Sequence, residues 1–168
     1  MFKLIKNDRI VIDEWKTLKF ARGDTPHNIK LPVGPLLVPL SVWHARRAEL
    51  IHREYEHGWP LGIWLSAAEQ AESIAQDIDD FTVIAIEFDR HTESQGYATA
   101  RQLRERYGYR SELRAIVPED DASHLHAAEF DARIVTGHRK SNAEVAPPDR
   151  FNLNLIRQAK NILYAGAA

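Results

Sequence analysis

Four short apolar runs, "LGIWLS", "FTVIAIEF", "ELRAIV" and "DARIVT", recur along this chain, and segments of helical period separate them. No other feature constrains the fold as much. A run that is apolar at nearly every position, and rich in β-branched residues, suits a strand buried on both faces. Alternating such strands with helices gives parallel β-α units with right-handed crossovers. The pattern predicts strands over 61–65, 83–88, 113–117 and 132–136, with "LLVPL" at 36–40 as a further strand. The fold class is therefore α/β, with a parallel sheet of four to five strands. Local pattern leaves two windings open, an open doubly wound sheet or half of a (β/α) barrel, because their units are the same.

The remaining segments fit around that core. "FKLIKNDRIVIDEW" alternates apolar and polar residues on both sides of Asn7 and Asp8, which predicts an N-terminal β-hairpin. Gly23, Pro26, Pro32, Gly34 and Pro35 make 16–35 an irregular connector or short edge strands. Helices are predicted from Ser41, acting as N-cap, and across "SAAEQAESIAQDI", where Ser66 and Glu69 form a capping box. Others are predicted over 94–107, over 121–128 and from Arg150 to Leu163. The chain reads as one domain over 1–168: hairpin and connector to 35, β-α core over 36–136, then a loop and C-terminal helix.

Composition excludes several classes. A net charge of −2 offers no basic excess for binding nucleic acid. No apolar run approaches the roughly 18 to 20 residues that span a bilayer, and charges interrupt the N-terminal segment where a signal core would lie. A cytoplasmic protein is the expectation. With no cysteine, the chain has no disulfide, catalytic thiol or cysteine-held cluster. Neither G-x-G-x-x-G nor G-x-x-x-x-G-K-[ST] occurs. The expectation is no redox cofactor.

Parallel α/β proteins bind ligands at the carboxyl ends of their strands, which selects Ser66 and the loops 89–96, 118–123 and 136–141. In "FDRHTESQGYATAR", Thr92 and Gln95 form a capping box, so the first N–H groups of the following helix open toward the loop. Arg90, Thr92, Gly96 and Arg101 are the candidate anion-binding residues; the alternative is a capped helix packed closely through Gly96. His124 and His126 form H-x-H, which faces one way only in extended chain, so no metal site is expected. No catalytic residue is singled out.

"GYATARQLRERYGYRSELRA" (96–115), with "LVPLSVW" upstream, resembles a bacterial family catalogued as domain of unknown function family 934. That family's pattern is G-Y-S-x-A-R-x-L-R-x-R-x-G-Y-x-G-E-L-R-A. Its members carry the label of an oxidoreductase of sulfite reduction and are often encoded beside sulfite reductase. The resemblance covers roughly residues 1 to 136. It departs at the loops: Ser94 and Gln95 replace the usual Gly and Arg, and "AEFDARI" lacks the usual Cys and Gly. The resemblance implies a role in sulfur metabolism, as an accessory protein acting through sulfite reductase or its electron donor. The alternative is a small α/β enzyme or binding protein for an anionic metabolite.

Overall fold

A computed structural model describes residues 2–88, 93–118 and 130–136, all within one compact unit, Met1–His138. The helices expected over 121–128 and from Arg150 onward, and the H-x-H pair, lie outside the described residues.

The described chain forms eight strands: β1 (Phe2–Lys6), β2 (Arg9–Val11), β3 (Lys16–Thr17), β4 (Leu36–Pro39), β5 (Leu61–Leu65), β6 (Val83–Glu87), β7 (Glu112–Pro118) and β8 (Ala132–Thr136). Helix α1 (Leu40–His57) joins β4 to β5, and α2 (Glu93–Glu105) lies between β6 and β7. All the strands belong to one sheet, in the order β2-β1-β8-β7-β6-β5-β4-β3. The six strands β3 to β8 run parallel, with registers such as Gly62 to Val83, Val83 to Glu112 and Arg114 to Ala132. This corrects the expected four to five strands. The hairpin is part of the same sheet, because β1 pairs antiparallel with the outer edge of β8, Leu4 opposite Ile134.

The winding is also decided. Strands β3 to β8 follow one another without reversal, so the sheet has no switch point where a doubly wound fold would turn back. Right-handed crossovers then all fall on one face, as in a barrel. The linker demonstrates the curl. Strands β2 and β3 are consecutive in sequence yet occupy opposite edges, seven spacings apart along eight strands. At ~4.8 Å per spacing that is ~34 Å along the sheet. The chain from Val11 to Lys16 can reach at most ~18 Å. The sheet is bent into a half-barrel, and residues 12–15 strap its two edges together.

Strand alternation sorts side chains onto the two faces. Leu36, Val38, Leu61, Ile63, Leu65, Ile84, Ile86, Leu113, Ala115 and Val117 join the main core, with Trp43 and Leu50 of α1 and Ala100 and Leu103 of α2. The concave face holds a smaller cluster, Leu4, Leu37, Val83, Ala85, Ile116, Ala132 and Ile134, with Trp15 and Trp64 against it. Gly62 is required on that face. A Cβ there would stand 2.8 Å from Leu37 Cδ1, 2.9 Å from the Val83 carbonyl oxygen and 3.0 Å from Trp15 Cζ3.

Two local expectations change. Strand β4 runs directly into α1, so Pro39 is the N-cap and Ser41 falls inside the first turn without capping it. The segment after β5 is not an α-helix. Glu69 does accept from the Ser66 N–H (2.6 Å), but the capping box closes a turn, and two 3-10 turns follow, Ala71–Ile74 and Ile78–Asp80. Asp77, Asp79 and Asp80 are poor helix formers. Asp77 is also held from α1, by Trp43 Nε1 at 2.9 Å and Arg47 Nη2 at 2.6 Å.

Candidate functional site

The β6–α2 junction lies at the carboxyl end of a central parallel strand. Of its sequence-derived candidates, Arg90 and Thr92 are outside the described residues. Gly96 is buried in the first turns of α2, and a Cβ there would stand 2.7 Å from both Cε1 and Cζ of Phe88. Glycine is what lets α2 lie hard against the end of β6. Phe88 in turn meets Tyr97 and Phe130 edge to face, with ring centroids 5.2 and 5.5 Å away. Arg101 is exposed. It stands eight residues beyond Glu93, roughly 12 Å along the helix axis, more than two turns from the first N–H groups.

The arginines that follow have distinct uses. Arg104 donates through Nη1 to the carbonyls of Tyr109 and Ser111, each at 2.8 Å, and through Nη2 to Asp131 Oδ2 at 2.6 Å. The same Asp131 oxygen accepts the Leu113 N–H at 2.8 Å, so one guanidinium ties α2, the turn after it, β7 and the approach to β8. Gly108 makes that turn possible, at a φ of 68° that side-chain-bearing residues rarely adopt. Tyr109 is buried beneath Arg104, its hydroxyl 3.2 Å from the Phe81 carbonyl and 3.3 Å from that of Glu112. Burial pushes this phenol above its usual range, and the Arg104 charge opposes that only in part.

Arg114, on the concave face of β7, is almost wholly buried. Its Nε donates to Glu112 Oε1 (2.7 Å), its Nη1 to Asp13 Oδ1 (3.0 Å), and its guanidinium carbon lies 5.6 Å from the centre of the Trp15 ring. Lys6 completes the cluster, 3.4 Å from Glu112 Oε2. Arg114 therefore pins the strap inside the half-barrel. The sequence carried a trace of this arrangement: Glu112 and Arg114 share one parity in a strand whose other parity, Leu113, Ala115 and Val117, is apolar.

By contrast Arg106 and Arg110 are exposed. Arg106 reaches Glu72 at 3.2 Å and stands 5.3 Å from the centre of the Tyr107 ring. Among the described residues no group of three or more histidine and acidic side chains could hold a metal ion, and no helix is long and apolar enough to cross a membrane.

The fold and this junction define a small half-barrel α/β protein whose arginine-rich motif mostly serves its own scaffold. The chain belongs to the family described as "Bacterial protein of unknown function (DUF934)", which matches residues 62–159. Comparison with curated proteins and with solved structures found no similar protein.

Proposed function

We propose that the chain is an accessory protein of sulfite reduction that works by docking on a protein partner, sulfite reductase or its electron donor. The pathway comes from the family resemblance. The observation that carries the docking mode is the division of labour among the arginines. Arg104 and Arg114 are taken up inside the fold, whereas Arg101 and Arg106 on α2, and Arg110 just beyond it, are exposed, and Arg106 stands 5.3 Å from the centre of the Tyr107 ring. Arginine with tyrosine is the composition that dominates protein interfaces, and its charge selects an acidic partner surface. Binding of sulfite reductase and of its electron donor to the immobilised chain tests this. The Arg106→Glu/Arg110→Glu variant should bind at least about tenfold more weakly, and the native affinity should fall with added salt. Equal binding by variant and native chain would overturn the assignment.

A second reading is a site for a small oxyanion such as sulfite or sulfate, formed by Arg90, Thr92, Gly96 and Arg101. The close seating of α2 on the end of β6 through Gly96 favours it, because it sets the start of the helix at the strand's carboxyl end. Calorimetric titration with sulfite or sulfate, compared with the Arg101→Glu chain, separates the two readings.

A further inference from the structure

Arg106 and Arg110 are both exposed, but the fold treats them differently. Arg110 has no ion pair among the described residues. Arg106, at the end of α2, donates through Nη1 to Glu72 Oε1 at 3.2 Å. Glu72 belongs to the 3-10 turn Ala71–Ile74, which packs beside α2 although 34 residues separate the two partners. Ala71 and Ile74 are wholly buried in the main core, so the turn is held in place and presents Glu72 to the arginine. The pair itself stays wet, with side chains 64% and 43% exposed. An exposed pair of this kind adds little stability and exchanges readily. It stands on the face proposed above for a partner, where Arg106 also lies beside the Tyr107 ring.

We propose that Glu72 competes with the acidic partner for Arg106: it holds the guanidinium in the free chain and releases it on docking. The inference rests on the docking reading and names the carboxylate that regulates that face. A second carboxylate placed on the same guanidinium would stand close to that of Glu72, and like charges across an interface oppose binding. An isolated anion therefore has to displace Glu72 with nothing further gained. A protein surface that also meets Arg110 and Tyr107 offsets the loss. The competition thus rejects casual anionic contacts more strongly than a matched partner.

Glu72→Gln keeps the size of the side chain and removes its charge. Sulfite reductase and its electron donor, each titrated onto the immobilised chain, supply the test. The partner should bind the Glu72→Gln chain about two- to fivefold more tightly than the native chain, the gain that an exposed ion pair allows. Asp79→Asn removes the same charge from an exposed position in the next 3-10 turn, one with no ion pair among the described residues. It should tighten binding by less than about 1.5-fold, through the screened field alone. In the Arg106→Met chain the effect of Glu72→Gln should shrink to that same level. Unchanged or weaker binding by Glu72→Gln, or an equal gain with and without Arg106, would overturn the competition and leave the docking reading standing. Failure of both proteins to bind, or binding by the Arg106→Glu/Arg110→Glu chain as tight as the native chain's, would overturn the docking reading and the competition with it.

Discussion

Replacing Arg114 by methionine tests whether the strap over the concave face is held electrostatically. Methionine keeps an unbranched stem against Trp15 but removes both charge-assisted bonds, leaving Asp13 and Glu112 without their shared cation. Removing one partner of a fully buried ion pair costs about 3–5 kcal/mol, mostly through the charge left behind. Here the guanidinium side chain is 4% exposed, but the side chains of Asp13 and Glu112 are 19% and 24% exposed, so water recovers part of their solvation. The expected loss is therefore about 2–3 kcal/mol. With a urea dependence of about 2 kcal/mol per molar, the unfolding midpoint should fall by about 1–1.5 M. Combining Arg114→Met with Asp13→Asn should cost less than the sum of the single changes, with a coupling of at least about 1 kcal/mol. A midpoint shift below about 0.3 M, or strict additivity, would show that the strap is held by Trp15 and Gly62 alone.

Gly96→Ala should destabilise the chain by about 1–3 kcal/mol, because the new methyl meets the Phe88 ring and forces it off Tyr97 and Phe130. Urea unfolding, together with a change in the aromatic near-ultraviolet circular dichroism, checks this, and unchanged spectra refute it. For Tyr109 the folded protein raises the phenol pKa, so its contribution to stability is full below about pH 10, where the unfolded phenol ionises, and is lost as pH climbs beyond that. Urea midpoints from pH 8 to 11 should fall in the native chain and fall less in Tyr109→Phe; parallel curves would refute the assignment.

The sequence revealed those parts of the fold whose cause is local. Strands 61–65 and 132–136 have the predicted bounds, and β6 and β7 differ by one residue at their ends, because an unbroken apolar run can be buried only as a central strand. The turn at Asn7 and Asp8 was equally local. What pattern could not show was pairing at long range. Nothing in "FKLIK" states that its partner is "ARIVT" 130 residues away, or that residues 12–15 must bridge the sheet and so bend it. The segment after Ser66 misled for a physical reason. Here only the Glu69 half of the box forms, satisfying the Ser66 N–H in a turn as it would at a helix start, and Asp77 had a distant use on α1 that its neighbours in sequence do not disclose. Arg104 was legible as a helix residue, but its bonds to Tyr109, Ser111 and Asp131 arise only when the chain after α2 folds back.

The family motif acquires a physical meaning from these contacts. Gly96 sets helix on strand, Ala100 and Leu103 fill the core, and Arg104 gathers the turn that Gly108 permits. Tyr109 is buried beneath that turn, and Glu112 with Arg114 anchors the strap. Every one of these positions has an internal contact, so sharing them transmits the half-barrel. The motif positions left exposed are fewer, and Arg101 and Arg106 are chief among them. Arg110, exposed beside them, stands where the family pattern accepts any residue, and Ser94 and Gln95, at the start of α2, already differ from the pattern. A partner contact confined to such positions can change between relatives without cost to the fold, whereas exchange at Arg104 or Arg114 would loosen several elements at once. Charge reversals at the exposed arginines are therefore the changes expected to alter binding more than stability, since exposed ion pairs such as Arg106–Glu72 contribute little to the fold.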